Sequence, residues 1–151
     1  MSADDAKKKA LSLLEKRDYS RGELIGRLTD KGFALEDAEA AADRLCELRL
    51  IDDAKYAGMV VRHYAAKGFG AARIRQELYK RRVPRELGDE ALSELPEQDD
   101  TLDILLRGRL RGGETDRDAL RRASDALRRR GFSWEEISAA VERYKSERND
   151  E

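Results

Sequence analysis

Histidine, cysteine and tryptophan occur once each in this 151-residue chain, at His63, Cys46 and Trp134. A single cysteine excludes an internal disulfide framework, and one cysteine with one histidine leaves no zinc ligand set. No Ser/His/Asp or Cys/His constellation can be assembled around His63, which is expected at the edge of the core. Cys46 reads as a small buried residue, not a nucleophile. Gly68-Phe-Gly70 is a two-glycine turn and lacks the pattern of a phosphate loop. The acids are scattered along helix faces without metal-ligand spacing. No apolar run approaches the length of a membrane span, and the N-terminus lacks an apolar stretch of signal-peptide length. These absences predict a cytoplasmic non-enzyme with no cofactor, no metal and no membrane partner.

Proline occurs only twice, so the commonest helix breaker is nearly missing. The strong helix formers Leu, Ala, Glu, Arg and Lys dominate instead. Charged residues reach 42% and apolar residues 40%, and the apolar positions are too periodic for a disordered chain.

Those positions repeat. Ser20–Phe33, Gly70–Val83 and Ala119–Phe132 share a register at offsets of 50 and 49 residues. Leu24, Ile74 and Ala123 correspond, as do Leu28, Leu78 and Leu127, and then Phe33, Val83 and Phe132. Each copy is preceded by a helical pattern (Ala6–Lys16, Asp53–Ala66, roughly Asp100–Arg111) and followed by another. The prediction is an all-α fold of three tandem three-helix repeats of about fifty residues, spanning 1–50, 51–97 and 98–151. Units this small share burial with their neighbours, which predicts an elongated, curved array and a monomer. Arg111–Glu114 is the expected flexible joint, and Met1–Asp5 and Ser146–Glu151 are expected to fray.

The punctuation agrees with this division. Ser20 with Glu23, and Ser133 with Glu136, read as capping boxes. Asp52 is placed to cap the helix after it, and Pro84 falls in a first helical turn. Gly32 and Gly131 sit where a left-handed residue stops a helix. Arg82 occupies the same place in the second repeat, where a left-handed backbone would cost about 1 kcal/mol. A differently built helix end, with Arg82 near the C-terminal dipole, is the favoured reading over a binding role that offsets the cost.

The formal net charge is −1, yet residues 55–85 carry nine bases against one acid, Glu77. A local charge of +8 suits a polyanion or an acidic protein face. On a helical wheel Ile74 and Leu78 face inward, Arg73 and Lys80 form one flanking row, and Arg75 and Arg82 the other. Lys55 and Arg62 form a row on the preceding helix, which Lys67 ends. Arg81 completes this group. Such rows suit phosphates, which need reach and charge more than geometry. Arg121, Arg122, Arg128, Arg129 and Arg130 form a second cluster, with internal pairing to Asp116, Asp118 and Asp125 as the competing reading. Tyr56, Tyr64 and Tyr79 lie near the basic segment. Aromatics at helical spacing read as core or edge residues ahead of base-stacking ones.

Certain ordered motifs resemble the RecX family. They are Ala10-Leu-Ser-Leu-Leu14, Ser20 to Glu23-Leu24, Lys31-Gly-Phe33, Leu50-Ile-Asp-Asp-Ala-Lys-Tyr-Ala57, Lys67-Gly-Phe-Gly70, Ile74-Arg-Gln-Glu-Leu78 and Arg130-Gly-Phe-Ser-Trp-Glu-Glu-Ile137. The likeness extends over roughly residues 6–145, and Arg82 departs from the family's usual glycine. The resemblance implies a cytoplasmic bacterial protein that binds the groove of the RecA–DNA filament. It also implies restraint of RecA's ATPase, strand-exchange and coprotease activities, in recombinational repair and the SOS response. Contact with single-stranded or duplex DNA would be weak or through RecA. The family pattern does not fix which bases make contact. Two other readings stay open on the residues alone: a DNA-binding protein of repressor type using α-helices around 70–93, and a helical scaffold without nucleic-acid contact.

Overall fold

The computed structural model describes residues 1–111 and 115–149, and these form nine α-helices with no strand among them. In chain order they are α1 (Ala3–Lys16), α2 (Arg21–Asp30), α3 (Leu35–Glu47), α4 (Asp53–Ala66), α5 (Ala71–Lys80), α6 (Arg85–Ser93), α7 (Asp99–Arg109), α8 (Arg117–Arg129) and α9 (Trp134–Asn149). Apart from Arg111, the expected joint lies outside the described residues.

Local chemistry sets the helix starts. The Ser20 hydroxyl accepts from the Glu23 amide at 3.0 Å while the Glu23 carboxylate accepts from the Ser20 amide at 3.0 Å. Ser133 and Glu136 make the same reciprocal pair at 3.1 and 3.0 Å. Asp52 accepts from the Lys55 amide at 3.1 Å, starting α4. Each bond satisfies an amide that the first turn leaves without a helical partner. Pro84 stands one residue before α6, where its carbonyl receives the first helical bond, from the Gly88 amide at 3.0 Å.

Of the stretches expected to fray, Asp150 and Glu151 lie outside the described residues. Ser2 and Asp5 form a third capping box, with both bonds at 3.1 Å, so α1 begins at Ala3. The Ser2 amide holds the Asp5 carboxyl below its ordinary value. At the other end α9 continues to Asn149, with Arg148 in its last turn facing the negative end of the helix dipole.

The stops are built alike in all three repeats. Gly32 and Gly131 have φ of +99° and +102°, and the amides of Phe33 and Phe132 return to the carbonyls of Leu28 and Leu127. Arg82 takes φ +57°, and the Val83 amide returns to Leu78 at 3.1 Å. The second repeat therefore ends its helix by the same left-handed turn, not by a different one, and arginine bears the strain. Arg49, after α3, is the other described non-glycine residue at positive φ, +60°.

The chain folds as two compact units, residues 1–60 with 77–93, and residues 61–76 with 94–151. In the first, α1, α2 and α3 pack on one another around Leu13, Leu24, Leu28 and Leu45, with Ala6, Ala10, Ala38 and Ala42 fully buried where helices approach closely. In the second, α7, α8 and α9 enclose Leu102, Leu106, Leu127, Phe132 and Ile137. Each large apolar side chain so buried contributes about 1.5–3 kcal/mol. Arg143 of α9 clamps Asp103 of α7 through two nitrogens at 2.8–3.1 Å, and that bond holds the guanidinium above its ordinary value. Of the nine aligned repeat positions, eight are buried, and Phe33 is half-buried against the first core.

Candidate functional site

The same junction is built twice, once in each unit. In the first unit the start of α2 meets the turn after α5. The Ser20 hydroxyl donates to the Arg81 carbonyl, and Arg82 lies across Gly22 and Gly26. A Cβ on Gly22 would come within 2.7 Å of the Arg82 Cβ and 3.1 Å of its carbonyl oxygen. The Arg82 Nη1 reaches the Gly22 carbonyl at 3.3 Å.

In the second unit the start of α5 meets the turn after α8. The Gly70 amide donates to the Arg130 carbonyl at 2.8 Å, and the Ala72 amide to Gly131 at 3.1 Å. A Cβ on Gly70 would come within 2.5–2.6 Å of the backbone of Gly131 and Phe132. Repeat register pairs Ser20 with Gly70 and Arg81 with Arg130. One carbonyl position is thus bound by a serine hydroxyl in one copy and by a glycine amide in the other.

These junctions consume part of the predicted basic site. Arg81 is half-buried and donates to the Tyr56 hydroxyl at 3.1 Å, which Arg17 also reaches at 3.3 Å. Burial pushes the Tyr56 phenol up from its ordinary value. Arg130 donates to the carbonyls of Gly68, at 2.9 Å, and Lys67, at 2.6 Å, with its guanidinium 4.6 Å from the Phe69 ring. Arg73 is half-buried, 5.5 Å from the same ring. Arg82 is solvent-accessible but committed to the α2 glycines.

The remaining candidates stand in solvent. Lys55, Arg62, Lys67, Arg75 and Lys80 are exposed, as are Arg121, Arg122, Arg128 and Arg129. Arg121 lies 3.9 Å from Asp118, and Asp116 is spent capping α8 at 2.8 Å. Arg128 donates to the Phe132 carbonyl at 3.3 Å and sits 5.5 Å from the Trp134 ring. Lys67 lies 5.6 Å from the Tyr64 ring.

The face of α5 gains in clarity. Glu77, the one acid of the basic segment, is 9% exposed and turned inward, with Lys80 Nζ 3.6 Å from its Oε1. The exposed residues of α5 are Ala72, Arg75, Gln76, Tyr79 and Lys80, none of them acidic. Sequence reasoning missed Tyr79 as a surface residue. Tyr56 is buried and Tyr64 half-buried, but Tyr79 is 84% exposed.

Two shallow cavities also touch candidate residues. One of about 120 Å³ is lined by Lys55, Asp52, Asp18, Tyr19, Tyr56, Met59 and the strained Arg49 with Leu50. The other, of about 240 Å³, has a floor of Ala119 and Ala123 and walls of Arg109 and Arg122. Arg109 was absent from the sequence-derived set. His63 is exposed, with its ring edge-on to Tyr64 at 5.1 Å, not set in the core edge. Cys46 is half-buried against the first core, and burial pushes its thiol up from the ordinary value. Among the described residues no cluster of three or more His, Cys, Asp or Glu is arranged to hold a metal ion. Among them also, no helix is long and apolar enough to cross a membrane.

Fold and surface together define an all-helical protein of tandem three-helix repeats with an acid-free basic helix face. Comparison with known proteins makes the class specific. Family models for the first and second three-helix domains of RecX match residues 6–45 and 52–92. The regulatory protein RecX of Xanthomonas axonopodis pv. citri is 36% identical over 135 residues, covering 88% of this chain and 83% of its own. That of Vibrio campbellii is 34% identical over 138 residues, covering 90% and 89%. A crystal structure of RecX from Lactobacillus salivarius superposes with a TM-score of 0.87 at 20% identity, over 95% of this chain and 96% of that one. The chain belongs to the RecX family.

Proposed function

We propose that this chain is a regulator of the recombinase RecA that binds the RecA–DNA filament. In this reading it restrains the ATPase, strand-exchange and coprotease activities of RecA in recombinational repair and the SOS response. It acts as a cytoplasmic monomer with no catalytic centre of its own, and its working parts are the repeats at 1–50, 51–97 and 98–151. Family membership supports the regulatory role, since the matched relatives are named regulatory proteins. The observation that carries the mode of action is the solvent face of α5, where Arg75 and Lys80 stand exposed and the only acid is turned inward.

Bases on such a face neutralise phosphates or dock on an acidic groove, and phosphate binding of this kind weakens steeply with salt. Arg62 and Lys67 add reach from α4 and the turn after it. Arg122 and Arg129 are the candidates on α8.

The test is RecA ATP hydrolysis on single-stranded DNA, titrated with the wild type and with an Arg75→Ala/Lys80→Ala variant. Inhibition relieved by the variant, at unchanged thermal unfolding, is the expected result. Inhibition that the variant leaves intact moves the contact away from α5. No inhibition of the cognate RecA at any ratio refutes the regulatory reading. Tight, sequence-specific duplex binding in a gel shift without RecA would replace it by a repressor-type one.

A further inference from the structure

Four of the five tyrosines are buried or half-buried, and Tyr79 alone projects into solvent, 84% exposed. An aromatic ring left in water forgoes the burial that makes such residues useful in a core. Its surroundings are not random. Arg75 and Gln76 lie one turn below it on α5, Lys80 is its neighbour, and no carboxylate shares the exposed face. Ala72, also exposed, sits two turns below.

We infer that Tyr79 is a nucleobase-stacking residue, and that with Arg75 and Lys80 it forms a platform for single-stranded nucleic acid on the free protein. This rests on the reading of α5 as the working face and specifies its ligand. The cations alone would fit any polyanion, duplex included. An exposed ring between them adds a preference, because every nucleobase offers a π-face and only an unpaired strand can turn that face outward. Arg75 and Tyr79 are separated by one helical turn, about 6 Å along the axis. A base can therefore rest on the ring while the strand's phosphates meet the cations on either side. Tyrosine also serves protein interfaces, so the comparison of strands with and without bases decides between the two occupants.

The experiment is fluorescence anisotropy of a labelled oligothymidylate and of an abasic strand of equal length, without RecA. Wild type, Tyr79→Ala and Tyr79→Phe are compared, with circular-dichroism melts to confirm equal folding. Base stacking of this kind typically gives a change of about 5- to 150-fold on alanine substitution. The wild type should prefer the oligothymidylate over the abasic strand by that margin. Tyr79→Ala should lose the preference while keeping its abasic affinity, and Tyr79→Phe should retain it. Equal binding of the two strands by the wild type overturns the inference, as does wild-type behaviour in Tyr79→Ala. Weaker RecA inhibition by Tyr79→Ala with unchanged oligothymidylate binding makes Tyr79 a protein contact and also overturns it. The regulatory reading fails separately, by absence of wild-type RecA inhibition, and the strand measurements stand whichever way that falls.

Discussion

The guanidinium of Arg82 rests on the bare backbone of Gly26, in space that any other residue would fill with its Cβ. The Arg82 stem crosses Gly22 in the same way, so a glycine pair one helical turn apart on α2 seats a single arginine. This seating offsets the roughly 1 kcal/mol that a left-handed arginine costs.

The two glycines should not respond equally to substitution. At Gly22 a methyl meets the Arg82 Cβ and carbonyl, which cannot move without moving the turn. Gly22→Ala should therefore lose about 1–3 kcal/mol, as overpacking does. At Gly26 the methyl meets only the mobile end of the guanidinium, and alanine gains about 1 kcal/mol of helix propensity. Gly26→Ala should be close to neutral in urea unfolding, and a larger loss there than at Gly22 would contradict the seating described.

Arg82 itself offers a paired test. Arg82→Gly relieves the backbone and loses the side-chain packing, so the net change should stay within about 1 kcal/mol. Arg82→Ala keeps the strain and loses the packing, and should be the less stable of the two by roughly 1 kcal/mol. The reverse order in denaturant midpoints would refute the left-handed turn.

Neighbouring arginines should separate into structural and surface kinds. Arg130 makes two charge-assisted bonds to main-chain carbonyls, whereas Arg129 is exposed. Arg130→Ala should cost about 1.5–3 kcal/mol, and Arg129→Ala should stay within about 0.5 kcal/mol. Thermal melts of the two variants decide the matter.

Much of this architecture was legible because it is local. Ser20 and Glu23 lie three residues apart, as do Ser133 and Glu136, and Gly32 and Gly131 announce their turns by needing no Cβ. Leu24, Ile74 and Leu78 declare the buried stripe by periodicity alone. The roles of Arg81, Arg82 and Arg130 were not legible, because their partners lie some sixty or, for Arg81 and Tyr56, twenty-five residues away. Counting charge cannot separate an arginine docked on a carbonyl from one in solvent. Tyr79 escaped for a related reason. Helical spacing says which face it occupies, but an aromatic residue biases the reader toward the core.

Asp53 gives a pH-dependent prediction. Its carboxylate accepts from the Arg21 amide at 2.8 Å, yet burial holds it above the ordinary value of 3.8. The folded state thus takes up this proton at higher pH than the unfolded chain, and the contribution of Asp53 to stability falls as pH rises from 3.8 through the raised folded value. Asp53→Asn keeps an acceptor for the amide and removes the titration. Its Tm relative to wild type should climb across that window, and a relative Tm that falls as pH rises would refute the assignment.

The glycine pair beneath Arg82 also constrains the order in which this surface can have changed. Glycine and arginine codons can differ by a single nucleotide, so a turn of the Gly32 or Gly131 kind is one mutation from the Arg82 kind. That step is tolerable only on a background where position 22 already lacks a side chain. The return step, Arg82 to glycine, stays open at any time. A side chain at position 22 becomes accessible only after the arginine has gone. A glycine at position 22 is therefore permissive for arginine at position 82, and the arginine in turn holds position 22 to glycine.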